Sequence, residues 1–120
     1  MTRRKLEISV ENRDEGALVY ALSGDLHGSA EAYGLQEEVR GRIAKGTRKV
    51  VIDLAHVRRI DSSGIGILVA MMWSASRAGG RLILSAVPDP AERLLSIAML
   101  LDHIEHTDTV GAALARLAEG

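Results

Sequence analysis

The residues of this chain that could do chemistry lie mainly in one short block, Asp61-Ser62-Ser63-Gly64-Ile65-Gly66. Asp61 or Ser62 could cap the unpaired N–H groups in the first turn of a helix. A phosphate on Ser62 or Ser63 would be stabilised by the partial positive charge at that helix N-terminus. The tetrapeptide Asp-Ser-Ser-Gly alone therefore predicts a cap and a turn, and a phosphorylated serine is the more specific alternative.

Other patterns give little support for an enzyme. Ser63 does not lie in the Gly-x-Ser-x-Gly pattern of a serine hydrolase, and Val69 stands where a dinucleotide-binding loop needs a small residue. Four potential metal ligands lie close together in the sequence: Asp102, His103, His106 and Asp108. This group lacks an evident third strong ligand, so we interpret the two histidines as solvated or capping residues. We therefore predict no catalytic residue, no metal and no cofactor.

Composition excludes several further classes of protein. The chain has 120 residues with a net charge of −1, which fits one domain and argues against a nucleic-acid partner. Cysteine is absent, so disulfides and zinc fingers are excluded and a cytoplasmic location is expected. No apolar run is long enough to span a membrane, and the basic first residues are not followed by the apolar stretch of a signal peptide. We expect no direct membrane insertion.

The strands that must position the serine block follow from apolar patterns. Residues 6–11 and 17–22 are predicted to form two antiparallel strands around a polar turn. Residues 49–54 are nearly continuously apolar, which is typical of a central strand covered on both faces. Residues 81–87 and 103–106 are predicted as further strands, and residues 55–60 as a bridge between the central strand and the serine block.

Four helices are predicted between and after these strands. Ser29 caps the first, which runs to about Ala44 before a stop at Gly46. The second covers residues 63–78 and is apolar nearly all round, so it is buried or has a partner. The third covers residues 91–101, and the fourth begins at a cap on Thr107 or Asp108 and ends near residue 118. We expect Met71, Met72 and Met99 in the core, and Trp73 in the core with a place at an interface as the weaker alternative.

The order ββαβαβαβα predicts an α/β fold in which about four helices cover a mixed β-sheet. The segments 51–54, 61–68 and 79–84 together closely resemble the STAS domain family, and more narrowly the bacterial anti-sigma factor antagonists. The turn at residues 24–26, the proline loop at 88–90 and the closing helix extend the resemblance to nearly the whole chain. It implies a single domain over residues 1–120, ordered over about 5–118, that is not an enzyme.

The resemblance also implies a function. An unphosphorylated antagonist binds an anti-sigma factor, which is also a serine kinase of the GHKL type, and thereby releases a sigma factor. The kinase phosphorylates the second serine of the block, which is Ser63 here, with Ser62 the weaker candidate. A PP2C-type phosphatase resets the switch, and ATP belongs to the kinase. The alternative is a STAS subunit that acts as a scaffold in a signalling assembly or an ABC transporter complex without phosphorylation.

We expect the partner to dock on a rim formed by residues 24–29, residues 58–63 and the first turns of the following helix, because loops after neighbouring parallel strands cluster. His27 departs from the acidic residue that the family often has at this position. A monomer and a weak dimer both remain open. The residues predicted to contact the partner are Asp25, His27, Ser29, Arg58, Asp61, Ser62, Ser63, Gly64 and Ile65.

Overall fold

The computed structural model describes residues 4–119. The predicted domain limits at residues 1 and 120, and the start of the basic N-terminal segment, lie outside the described residues. Within residues 4–119, no helix is both long enough and apolar enough to cross a bilayer.

In the part of the chain that the structure describes, one five-stranded sheet in the order β1-β2-β3-β4-β5 forms the centre of the fold. β1 is antiparallel to β2, and every other neighbouring pair is parallel. The sheet is therefore mixed, and β3 lies at its centre as predicted, with Val51, Ile52 and Leu54 fully buried. The strands are β1 (Glu7–Asn12), β2 (Ala17–Leu26), β3 (Lys49–Ile60), β4 (Arg81–Ser85) and β5 (His106–Thr107).

Within the described residues, four α-helices cover the two faces of this sheet unequally. Helices α1, α2 and α3 pack on one face, over a large core that includes Tyr20, Ile52 and Leu68. Helix α4 covers Val51 and Ile83 on the other face. Alternate residues of β3 supply both layers because successive side chains of a strand point to opposite faces. The helices are α1 (Ala30–Ala44), α2 (Ser62–Arg77), α3 (Asp89–Ile97) and α4 (Val110–Ala118).

The two strands that lead to the serine block are longer than predicted. β2 continues past Leu22 to Leu26, and β3 continues through residues 55–60, where a bridge was expected. The ladder runs on to Leu26 and Ile60, with register shifts on the way. The prediction of a bridge was wrong because backbone pairing holds this part of β3 while most of its side chains are exposed.

Boundaries in the last third of the chain also differ from the prediction. β4 ends at Ser85, α3 spans Asp89–Ile97, and a 3-10 turn at Leu101–His103 precedes the two-residue strand β5. The cap of α4 is Thr109, whose hydroxyl accepts a hydrogen bond from the backbone N–H of Ala112. Thr107 lies in β5, two residues before this cap, and its hydroxyl donates to the carbonyl of Thr109 at 2.7 Å.

Helix α2 buries one side only, although its sequence is apolar nearly all round. Met71 is fully buried, as predicted, and Met72 is partly buried. Trp73 is 54% exposed and Met99 is 82% exposed, so the expectation that these two residues lie in the core was wrong. A helix on one face of a sheet buries only the side that faces the sheet and the neighbouring helices, and Trp73 lies on the other side. Met99 lies in the turn after α3.

Candidate functional site

The serine block lies at the turn from β3 into α2, and Asp61 caps the helix. Its backbone is extended, and its Oδ1 accepts a hydrogen bond from the N–H of Gly64 at 2.9 Å. The N–H of Asp61 donates to the carbonyl of Leu26 at 3.3 Å, which ties the turn to the end of β2. Because Asp61 supplies the cap, the hydroxyls of Ser62 and Ser63 are not needed for it, and both serines are exposed.

A glycine at position 64 allows this close approach. A Cβ atom on Gly64 would overlap the carbonyl oxygen of Leu26 and lie 2.9 Å from Cγ1 of Ile60. Gly64 is buried under these contacts, whereas Ser63, one residue earlier, faces outward. The glycine therefore brings the first turn of α2 against the end of β2 and places Ser63 beside the loop that follows β2.

Three parts of the chain meet around Ser63: this loop, α1 and α2. A Cβ atom built on Gly28 would lie 3.3 Å from Cβ and 3.5 Å from Oγ of Ser63, and 3.4 Å from the hydroxyl oxygen of Tyr33. Both hydroxyl oxygens therefore lie within 3.5 Å of one point above Gly28. Tyr33 is 53% exposed and lies in the first turn of α1, where its N–H donates to the carbonyl of Ser29.

Sequence reasoning missed Tyr33 as a site residue. The available signal was its position one turn after the Ser29 cap, because Ser29 itself belongs to the predicted rim. The Ser29 cap is as predicted: its Oγ accepts a hydrogen bond from the N–H of Ala32 at 3.1 Å.

The predicted contact residues fall into two groups. Arg58, Asp61, Ser62 and Ser63 are exposed, and His27 and Ser29 are half-buried, so these six form an accessible rim. A shallow depression of about 210 Å³ lies on this rim, between Asp25, Leu26, His27, Arg59, Ile60 and Asp61. Gly64 and Ile65 are buried, which leaves them behind the rim rather than on its surface.

Asp25 is also not a surface residue. It is 3% exposed, and its Oδ2 accepts a hydrogen bond from the backbone N–H of Arg4 at 3.0 Å. Its own N–H donates to the carbonyl of Arg4 at 3.1 Å. Asp25 thus fastens the segment before β1 to the end of β2, and its contact with a partner stays a prediction.

A second surface feature lies farther along α2. An apolar groove of about 530 Å³ has Trp73 on its rim, about 15 Å from Ser63 along the helix axis. Arg81 and Glu105 form an ion pair of 2.6 Å at this groove. The remaining lining residues are Met72, Ser76, Gly80, Leu82, Leu100 and His103.

Among residues 4–119, no three His, Asp or Glu side chains are grouped to hold a metal ion.

Comparison with known proteins adds independent information. A family model described as STAS domain matches residues 8–113. A candidate anti-sigma factor antagonist of Thermotoga neapolitana is 36% identical over 70 residues, which are 58% of this chain and 62% of that protein. The matched stretch therefore spans less than two thirds of that relative. The anti-sigma F factor antagonist of Paenibacillus polymyxa is 28% identical over 115 residues, or 93% of this chain and 95% of that one.

The fold also matches a solved structure in two chemical forms. Unphosphorylated SpoIIAA, an anti-sigma factor antagonist, superposes with a TM-score of 0.80 at 18% identity, covering 95% of this chain and 98% of that one. Phosphorylated SpoIIAA of Bacillus superposes with a TM-score of 0.75 at 20% identity, covering 92% of this chain and 98% of that one. At these identities the likeness establishes the fold.

Proposed function

Because this chain belongs to the STAS domain family and is similar to anti-sigma factor antagonists, we propose that it is a phosphorylation-controlled switch. In this proposal the chain binds an anti-sigma factor kinase of the GHKL type while Ser63 is unphosphorylated, and a sigma factor is released. The observation that carries the proposal is the exposed Ser63 in the first turn of α2, held beside the loop after β2.

The geometry supports Ser63 as a kinase substrate in two ways. Its side chain is exposed, so a kinase can reach the hydroxyl without unfolding the domain. Asp61 caps the helix, so modification of Ser63 does not remove the capping hydrogen bond. The same fold in SpoIIAA has been solved with and without a phosphate, so in that protein the fold accepts the modification.

The proposed reaction is phosphoryl transfer from ATP held by the kinase. Oγ of Ser63 forms a bond to the γ-phosphorus, and the bond from that phosphorus to the oxygen bridging it to the β-phosphate breaks. ADP leaves, and the proton of the serine hydroxyl passes to a base of the kinase. In the reverse half of the cycle, a PP2C-type phosphatase hydrolyses the phosphoserine with water to serine and inorganic phosphate.

Two electrostatic effects of unequal size make this modification a switch. A phosphoserine adds about −1.5 to −2 charges at neutral pH, and at an exposed helix N-terminus a negative charge is stabilised by ~0.3–1 kcal/mol. Within a complex the same group must lose its hydration close to the carboxylate of Asp61, which costs several kcal/mol. The fold therefore survives phosphorylation, and the complex does not.

An in vitro kinase reaction tests the proposal. The chain is incubated with ATP and an anti-sigma factor kinase from the source organism, and the phosphosite is mapped by mass spectrometry. We expect the phosphate on Ser63, no phosphate on Ser63→Ala, and an undiminished reaction with Ser62→Ala as the matched control. A phosphate on Ser62 would contradict the assignment. An unmodified chain that co-purifies with a signalling assembly or an ABC transporter would instead favour the scaffold function.

A further inference from the structure

Two residues beside Ser63, Gly28 and Tyr33, have no part in the function proposed above. A Cβ atom on Gly28 would lie between 3.3 and 3.5 Å from Ser63 Cβ, Ser63 Oγ and the hydroxyl oxygen of Tyr33. The 3.3 Å approach to Ser63 Cβ is tighter than ordinary packing, and the approaches to the two hydroxyl oxygens are ordinary van der Waals contacts. The space above Gly28 is therefore shared by the two hydroxyl groups, and only the missing side chain of glycine leaves it open.

The backbone does not explain why position 28 is glycine. Gly24 has a φ of +100, which disfavours other residues, and Gly64 is pressed against a backbone carbonyl. The φ of Gly28 lies outside the left-handed region, and the atoms nearest its missing Cβ are side-chain atoms of Ser63 and Tyr33. What glycine preserves here is room beside the hydroxyl of Ser63.

We propose that Gly28 and Tyr33 form a notch that receives the phosphoryl group of phosphorylated Ser63, with the Tyr33 hydroxyl donating a hydrogen bond to a phosphoryl oxygen. The inference rests on the proposed function, because it concerns the same modified serine. A phosphate monoester offers three strong acceptor oxygens, and hydrogen bonds to an ionised acceptor are about twice as strong as neutral ones. Tyr33 is then a positioning residue, which orients the phosphoryl group and takes no part in its transfer.

The notch gives phosphorylation a second consequence besides added charge. In the unphosphorylated chain the half-exposed ring of Tyr33 belongs to the accessible surface next to the rim. Once its hydroxyl is bound to the phosphoryl group, the ring is held over Gly28. Phosphorylation therefore fixes an aromatic side chain next to the rim, and aromatic residues commonly carry much of the binding energy at an interface.

The test uses chains in which phosphoserine is incorporated at position 63 during translation, so it needs no kinase. The second pKa of the phosphoserine, ordinarily about 6, is measured by phosphorus NMR titration. Because a donated hydrogen bond favours the dianion, we expect Tyr33→Phe to raise this pKa by about 0.5 unit. Gly28→Ala should raise it similarly, since its methyl group occupies the notch. Gly34→Ala is the matched control, because a Cβ there has nothing within 4 Å.

None of the variants changes the charged groups at this end of the fold, so differences in the pKa report the notch. These groups are Asp25, His27, Glu31, Arg58, Arg59 and Asp61. Tyr33 is half-exposed, so the melting temperature of Tyr33→Phe should match that of the parent, and this variant tests the notch even if Gly28→Ala folds poorly. An unchanged pKa in Tyr33→Phe would overturn the inference. A shifted pKa in a chain that no kinase phosphorylates would support the notch and count against the proposed function alone.

Discussion

The Cα atom of Gly64 packs directly against the carbonyl group of Leu26, closer than any residue with a Cβ atom could come. We predict that Gly64→Ala destabilises the domain by about 1–3 kcal/mol or more, because a rigid backbone group rather than a flexible side chain must move. Urea denaturation measures the change.

The matched control for this variant is Gly66→Ala, two residues farther along the same helix. A Cβ on Gly66 meets nothing within 4 Å, so alanine should stabilise the helix by up to about 1 kcal/mol. Equal effects of the two substitutions would mean that the contact of Gly64 with Leu26 has no energetic role.

A second prediction concerns the buried carboxylate of Asp25. Asp25→Ala removes the acceptor of the Arg4 N–H and should cost about 1–3 kcal/mol, since a backbone donor loses its partner. Asp25→Lys should cost more, because it places an unpaired charge where the side chain is 3% exposed. The exposed Asp102 provides the control, and Asp102→Ala should change the free energy of unfolding by less than about 0.5 kcal/mol. Free energies of unfolding of both Asp25 variants that match the parent, as that of Asp102→Ala should, would contradict the buried position of Asp25.

A third prediction follows from Tyr20, which is fully buried under α1. Burial, and next the charge of Glu38, raise the pKa of Tyr20 to about 12. A raised pKa means that the folded state holds the proton more tightly than the unfolded state, so the associated stability is complete below about pH 10 and is lost as pH rises through 12. The free energy of unfolding should therefore fall across this window.

The variant Tyr20→Phe isolates this effect. It cannot ionise, so its free energy of unfolding should fall less between pH 10 and 12 than that of the parent. At neutral pH it also lacks the hydrogen bond from the Tyr20 hydroxyl to Glu38, 3.2 Å in the parent, which contributes about 1 kcal/mol. Tyr33→Phe is the control, because that ring is half-exposed. Parallel pH profiles for Tyr20→Phe and the parent would show that the proton on Tyr20 is not linked to folding.

Much of the architecture could be predicted from the residues, because it depends on local apolar patterns. The continuous apolar run in residues 49–54 correctly indicates a central strand, and the pattern Asp-Ser-Ser-Gly correctly indicates a helix start. Residues 55–60 lack that pattern and still form a strand, because backbone pairing to β2 holds them in place. Side-chain periodicity cannot reveal such a strand.

The missed features of the site depend on contacts between distant segments. Asp25 is buried because its partner is the backbone of Arg4, which no side-chain pattern records. Tyr33 and Ser63 both lie beside Gly28 because α1 and α2 pack together. The uniform apolarity of α2 indicates burial but does not say which side faces the sheet, and for that reason Trp73 was misplaced.

A fourth prediction uses Trp73 as a spectroscopic probe, since it is the one tryptophan in the sequence. Its 54% exposure predicts fluorescence that aqueous iodide quenches readily in the native state. The quenching constant should be a large fraction of that measured in urea-unfolded chain, which is the control. Native fluorescence that iodide does not quench would mean that Trp73 is covered, either within the domain or by a second copy in solution, and dilution would distinguish these two cases.

The last prediction tests the switch through affinity and stability together. Phosphoserine at position 63 should weaken binding to the anti-sigma factor kinase by at least about a hundredfold, since each 1.4 kcal/mol is tenfold in affinity and desolvation of the anion near Asp61 costs several kcal/mol. Ser63→Asp, with a single charge, should weaken binding less than phosphoserine does. Both chains should melt within a few degrees of the parent, because the helix N-terminus tolerates the charge.

Isothermal titration calorimetry measures the affinity, and thermal denaturation measures the stability. Ser63→Ala, which should bind constitutively, is the control for loss of the hydroxyl. A phosphorylated chain that binds as tightly as the parent would exclude Ser63 as the switch, and one that fails to bind because it has unfolded would exclude the electrostatic mechanism.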